Sequence, residues 1–320
     1  MATKRHHYLP LHYLGNFLLP GQQAFVVYDK TGLPPREQTP INTGVEGRLY
    51  TVLDPEGQKN DSIETDILKP LDDAAAPVIA RWISGAQHEV DDVPTLAAFM
   101  ASLSVRAPRQ IAFSQDVAVA AIVKVNRDLA SDPAAFAEMI RKYNEVNPDA
   151  AIVDVEPLRQ EMLILDQEYH ISVDRQFGML HSIGLLGDIA KALLDMRWLV
   201  LRATAGQEFV VGDSPVSVFV PHPDERASIG AGFLHPLAEV AFPLDPERCL
   251  YLRRSSSPRL PTTRELNRRM IWQAERFVVS SRHSDDIEAL VKEFAFTIDL
   301  PLLDRDELLR GIGNDMDPAP

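Results

Sequence analysis

The sequence predicts an α+β protein. A helical N-terminal half packs on a mostly antiparallel sheet from the C-terminal half, with further helices at the C-terminal end. Three observations predict it. Apolar residues recur at helical spacing from about Ser62 to Met196. From Trp198 to Leu252 they change to short β-like runs cut by Gly, Pro and His. Nowhere does the chain alternate strand with helix as a parallel α/β sheet requires.

The elements follow in order. Ala24 to Asp29 is apolar enough for a short strand, preceded by the basic cluster Lys4-Arg5-His6-His7-Tyr8-Leu9-Pro10. Residues 31–62 are rich in Gly, Pro and Asp and read as loop, with a strand near Leu49-Tyr50-Thr51-Val52. Leu71 to Ser84 carries Ala75, Val78, Ile79, Trp82 and Ile83 on one side. Asp72 and Asp73 lie in its first turn, where the helix dipole favours carboxylates. Leu96, Phe99, Met100 and Leu103 mark a second helix, stopped before Pro108, and Ile111 to Leu129 a third. Asp132-Pro133 is an N-cap with proline at the first helical position, opening a helix through Phe136, Ile140 and Tyr143. Leu180 to Met196 is the last helix of this half.

Strands are then expected over Trp198–Arg202, Glu208–Val211, Val216–Val220, Val240–Phe242 and Cys249–Leu252. Thr262-Thr263-Arg264-Glu265 is a capping box that opens a helix to about Arg276. Phe277 to Ser280 reads as a final strand, and Ser284 caps a final helix through Leu290 and Phe294. The expected organisation is one domain over residues 1–310, with a disordered, acidic, proline-bearing tail over 311–320.

Composition narrows the function classes. A chain of 320 residues with 45% hydrophobic and 24% charged residues has enough apolar mass for a core. Its net charge of −14 argues against nonspecific coating of nucleic acid, because the basic stretches Lys4-Arg5, Arg253-Arg254 and Arg264 to Arg269 are short. Apolar runs broken by polar residues predict no membrane span and no signal peptide, so a cytoplasmic location is the expectation. The single cysteine, Cys249, lies in an alternating run and reads as a small packed residue. The chain contains no phosphate-binding Gly-rich loop, no Gly-x-Gly-x-x-Gly, no Gly-x-Ser-x-Gly, no Cys-x-x-Cys and no His-Glu-x-x-His. Readings as a nucleotide hydrolase, Rossmann oxidoreductase, serine hydrolase or zincin lose most of their support.

Two polar clusters stand apart from the core pattern. His6 and His7 are adjacent, so on a strand their rings face opposite sides and only one readily enters a given site. The bland account is surface decoration. In Gly212-Asp213-Ser214-Pro215 a carboxylate follows an apolar run and is held by a proline-fixed turn. A metal ligand or general base often occupies such a strand tip, whereas an Asx-turn is the structural account. Glu64, Asp66, Asp72 and Asp73 form an acidic stretch. Glu64 and Asp72 could join a divalent metal, or simply charge a helix N-terminus. Arg106, before Ala107-Pro108, could complement the helix dipole or grip an anion.

Together these segments resemble a bacterial family catalogued as domain of unknown function 4238. The resemblance rests on His6-His7-Tyr8-Leu9-Pro10 with Tyr13, Asn16 and Phe17; on Val27-Tyr28-Asp29-Lys30; and on Glu64, Asp72 and Ala75-Ala76-Pro77. It continues through Arg106 with Pro108, Trp198, Phe209, Gly212-Asp213-Ser214-Pro215, Phe242-Pro243-Leu244, and Asn267 with Ala274, Phe277, Val278 and Ser280. It spans roughly residues 4–282. The chain departs from the family at Ser214, where Asn is common, and at Asp72, where Glu is common. The resemblance implies a grouping of residues and no activity.

Two functions compete. In one, the polar residues lock the fold of a ligand- or partner-binding, regulatory domain. In the other, they serve a metal-dependent hydrolase of phosphodiesterase or nuclease type. There His6, His7, Asp213 and Arg106 are the catalytic candidates and His7, Glu64, Asp72 and Asp213 the metal ligands. Tyr8, Tyr28, Ser214 and Asn267 are accessory polar candidates. A defence or toxin-type effector is suggested only by the kind of family the chain resembles.

Overall fold

The computed structural model describes residues 5–54, 56–87, 89–221, 232–256 and 259–295, so the tail expected from Gly311 lies outside the described residues. The chain divides into two compact units. Among the described residues, one is built from residues 5–111 together with 179–295, and residues 112–178 belong to the other.

The first unit opens with a short strand, β1 (Arg5–His7), a one-turn helix, α1 (Leu11–Gly15), and β2 (Phe25–Asp29). β3 (Arg36–Gln38) and β4 (Val45–Gly47) flank a 3-10 turn, Pro40–Asn42. β1 pairs antiparallel with β4, His6 opposite Glu46 and His7 opposite Val45. Gly44 makes the turn into β4 possible. Its φ is +63°, and a Cβ there would come within 2.6 Å of the Leu9 side chain. The strand expected near 49–52 is only the two residues of β5 (Val52–Leu53), paired with β6 (Lys59–Asn60).

A π-helical turn over Ile63–Leu68 leads into α2 (Lys69–Ser84), followed by α3 (Asp92–Arg106). α3 stops because Ala107 is extended, the conformation favoured before a proline. α4 (Pro108–Ser131) starts on that proline, three residues earlier than the periodicity predicts, and runs on into the second unit.

In that second unit α5 (Pro133–Val146) begins under the predicted cap, with Asp132 accepting from the N–H groups of Ala134 and Ala135. α6 (Val155–Leu163) and α7 (Leu165–Glu168) follow. Ala130, Phe136 and Ile140 form a small core against Ile152, Leu158 and Met162. Arg127 donates to both oxygens of Asp166 at 2.8 Å.

Back toward the first unit, the single helix expected over Leu180–Met196 is two, α8 (Arg175–Gly184) and α9 (Leu186–Leu194). By length and composition residues 175–194 could cross a membrane. α9, however, packs on α3 and buries Ala192 and Leu193.

The remaining elements are β7 (Arg197–Arg202), β8 (Val211–Gly212), β9 (Ser217–Phe219), β10 (Glu239–Asp245), β11 (Arg248–Arg253), α10 (Thr263–Gln273), β12 (Phe277–Ser280) and α11 (Asp285–Glu293). The fold is α+β, and among the described residues all strand pairs are antiparallel. One four-stranded sheet has the order β7-β11-β10-β9. The other, β3-β2-β12-β8, draws β2 and β3 from the N-terminal half, so the sheets are not confined to the C-terminal half. Pairing decides this: β2 is too apolar to leave unpartnered, and β12 supplies its edge.

The main core lies around four rings. Tyr13 stacks on Phe242 at 5.1 Å, and Phe17 and Phe99 meet Tyr13 edge-on. The Tyr13 hydroxyl donates to the Pro243 carbonyl at 2.7 Å, tying α1 to β10. Cys249 is fully buried, and burial pushes its thiol well up, as expected of a packed residue.

Candidate functional site

Arg106 ends α3 with no exposed surface. A buried guanidinium needs an anion and partners for its donors. Asp72, in the first turn of α2, supplies the anion: Nη1 of Arg106 donates to Oδ1 at 2.9 Å and Oδ2 at 3.1 Å. The guanidinium also lies 5.9 Å from the Phe99 ring centroid. These contacts use one nitrogen. Nε and Nη2 are buried and bonded to no protein atom. The cluster reaches solvent at Asp72, whose side chain is 18% exposed.

Two further groups within electrostatic reach of Arg106 are also unsatisfied. Glu64 projects from the π-turn, where the N–H of Lys69 donates to the Glu64 carbonyl. Such turns are rare and recur at functional sites. Its Oε2 is buried without a partner. Burial holds the Glu64 carboxyl above its ordinary range; Arg106 opposes this, and Asp72 and Asp61 reinforce it. Burial likewise raises Asp72, against the pull of Arg106. His12, on α1, lies against Phe99 with Nε2 unpartnered. Burial, then the positive charge of Arg106, lower its imidazole to about 4. The site therefore holds one permanent cation, two reluctant carboxylates and a neutral imidazole.

His6 supports the cluster from the side. Its Nδ1 accepts from the Tyr50 N–H at 2.8 Å, so the ring proton lies on Nε2, 3.7 Å from Asp61. The ring stacks on Tyr50 at 5.4 Å, and the Tyr50 hydroxyl donates to the Arg106 carbonyl at 3.0 Å. Burial lowers the His6 imidazole, with Asp61 opposing.

The other sequence candidates lie elsewhere. His7 faces the opposite side of β1, and its Nε2 pairs with the Ile41 carbonyl at 3.1 Å. Asp213 is buried, and each of its oxygens accepts a backbone N–H at 2.8 Å, from Glu275 and from Arg276. Burial pushes its carboxyl up to about 6 against those two bonds. Gly212 belongs to the same clamp, because a Cβ there would meet Ala274 at 2.9 Å. Ser214 is half-buried beside it. Tyr8 is buried within electrostatic reach of both Asp213 and Tyr50. The Tyr28 hydroxyl accepts from the Ser284 N–H, and the Asn267 amide bridges the Glu208 carbonyl and the Val210 N–H.

The structure thus brings together Arg106, Asp72 and Glu64, with His6 one residue removed through Tyr50. It does not assemble the expected metal set. Glu64 and Asp72 are neighbours, but His7 is held on Ile41 and both oxygens of Asp213 are bonded to backbone. Among the described residues, the one grouping with three ligand atoms within 4.8 Å of one another is His283, Asp285 and Glu288. Those side chains bond to each other and to Lys292 on an exposed helix start. His12 is the site residue that sequence reasoning missed. Its signal was modest, a histidine between the apolar Leu11 and Tyr13 two residues after Pro10.

Residues 5–284 match the model of a family described as Protein of unknown function (DUF4238). No curated protein and no solved structure matches the chain.

Proposed function

The chain belongs to the DUF4238 family, and from that premise we propose that it binds a small polar ligand carrying an oxyanion group at the Arg106 cluster. One observation carries the reading. Arg106 is completely buried yet spends one nitrogen on Asp72, leaving Nε and Nη2 unbonded, within electrostatic reach of Glu64 and His12, whose Oε2 and Nε2 are also unbonded. A buried donor or acceptor left unmade costs about 1–3 kcal/mol, so four such atoms support a bound partner. The Nε–Nη2 edge of a guanidinium matches two oxygens of a carboxylate or phosphate. Asp72 fixes the fork from the opposite side. Burial raises the Glu64 carboxyl above its ordinary range, which lessens its repulsion of an anion beside it, and His12 supplies a neutral polar contact.

The test is thermal melting of the whole protein against inorganic phosphate, acetate and small phosphorylated and carboxylated metabolites. At least one oxyanion is expected to raise the wild-type melting temperature, and Glu64→Gln or Arg106→Lys to reduce that rise at least tenfold in apparent affinity. No response to any member, or an undiminished response in both variants, overturns the reading.

Acid–base chemistry on the ligand is a second reading. The opposed displacements of Glu64 upward and His12 downward favour it, because pairs tuned apart divide acid and base roles. A hydrolase of this kind would cleave a chromogenic phosphodiester or ester and lose that activity in Glu64→Gln. Activity insensitive to both Glu64→Gln and His12→Gln would remove it.

A further inference from the structure

The basic stretch Arg264 to Arg269 takes no part in the Arg106 cluster. It lies on α10, where Glu265, Arg268, Arg269 and Trp272 follow the i, i+3, i+4, i+7 spacing of one helix face. All four line a cavity of about 500 Å³, the size of a small-molecule site. Phe219, Pro221, Leu237 and Pro261 supply its apolar wall, and Glu239 and Arg259 complete its charges.

Arg269 is fixed. Its guanidinium lies 3.8 Å from the Phe219 ring centroid, and Nη1 is 2.6 Å from Glu239. Both side chains of that ion pair are largely withdrawn from solvent, so the cation is held in orientation before any ligand arrives. Arg268 lies over the Phe294 ring at 5.1 Å from its centroid and 3.6 Å from Glu293, and Arg259 pairs with Glu265 while its own side chain is 76% exposed. Exposed pairs of this kind contribute little, so exchanging a carboxylate partner for a ligand anion costs little. Trp272, half-buried in the wall, is held by its stack on Phe294 at 6.0 Å.

We propose that this cavity is a second binding site, separate from the Arg106 cluster, for a small anion that carries a flat ring. The arginines would hold the anion, and Trp272, Phe219 and the planar Arg269 offer faces for the ring. The lining carries three arginines against two glutamates, in a chain whose net charge is −14. A short anion can use that local excess, whereas a long polyanion would meet the acidic remainder. A nucleoside monophosphate and a ring carboxylate share this chemistry.

The full chain is titrated with adenosine monophosphate, with 4-hydroxybenzoate, and with inorganic phosphate and adenosine as half-ligands, by calorimetry and tryptophan fluorescence. At least one ring-bearing anion is expected to bind and quench fluorescence, with phosphate and adenosine at least tenfold weaker. Arg268→Glu is expected to weaken binding at least tenfold without moving the melting temperature, and Trp272→Phe to abolish most of the quench. Glu64→Gln leaves this affinity unchanged, which separates the cavity from the Arg106 cluster. Binding by neither anion, binding equal to that of phosphate alone, insensitivity to Arg268→Glu, or loss in Glu64→Gln would each overturn the assignment.

Discussion

Asp213 and His12 reverse the roles that their surroundings in the sequence suggest. Asp213, at a strand tip before Ser-Pro, has the position of a base, yet both its oxygens are occupied by the N–H groups of Glu275 and Arg276. Removing the carboxylate leaves two backbone donors unmade in a buried place. Asp213→Ala should therefore cost about 2–4 kcal/mol in urea unfolding, with oxyanion binding at Arg106 unchanged. A loss under about 0.5 kcal/mol would mean that the turn finds other acceptors. Spacing revealed that a carboxylate stood at this tip. It could not reveal that backbone 62 residues away would come to meet it. His12 has the converse history: its apolar neighbours Leu11 and Tyr13 mark it only weakly, and only the approach of α3 gives it Arg106 as a neighbour. Its folded imidazole is lowered to about 4, from 6.5. A depressed histidine is neutral in the fold and charged when unfolded, so its contribution is full above 6.5 and is lost as pH falls toward 4. Stability measured from pH 7 to pH 4 should fall less steeply in His12→Gln than in the wild type. Equal slopes would show that the ring is not held neutral.

α10 leads into the backbone that holds Asp213 and lines the 500 Å³ cavity, and it is secured at both ends. Thr262 accepts from the Glu265 N–H while Glu265 accepts from the Thr262 N–H, the reciprocal box read from the sequence. At the other end the ammonium of Lys30, itself buried, donates to the carbonyls of Ile271 at 2.8 Å and Ala274 at 2.7 Å. A cation is favoured where a helix leaves its last carbonyls unpaired. Thr262→Ala should cost about 1 kcal/mol, and Lys30→Met about 1–3 kcal/mol through unmade carbonyls; equilibrium unfolding of the two variants checks both. The N-terminal cap was legible because it is local, a pattern four residues long. The Lys30 cap was not, because its two halves are 241 residues apart. The same distinction divides the other elements. α2, α3, α5 and α11 follow from periodicity and caps. The two-residue β8 and the pairing of β1 with β4 depend on partners distant in the chain. The π-turn that presents Glu64 is a shift of hydrogen-bond register that leaves the apolar spacing almost unaltered.

At the scale of the molecule, the first unit is closed by contacts between the two ends of its sequence. β12 lies between β2 and β8 and pairs with both, Tyr28 opposite Val278 on one side and Gly212 on the other. The Tyr13 hydroxyl reaches Pro243 across 230 residues. Such contacts are entropically expensive to form and are made late, so the unit should fold slowly for its helix content. They also concentrate its cooperativity in a few short strands. Without β12, β2 and β8 have no common neighbour, and the Asp213 N–H loses the Phe277 carbonyl that accepts from it at 3.2 Å. A chain ending at Arg276 should keep a helical far-ultraviolet signal, because α2 to α9 are local structures. It should lose the cooperative urea transition followed by tryptophan fluorescence, since Trp82 and Trp198 report on the main core. A truncated chain that retained a wild-type midpoint and slope would show that the helical layer and the β7-β11-β10-β9 sheet stabilise the Arg106 cluster by themselves.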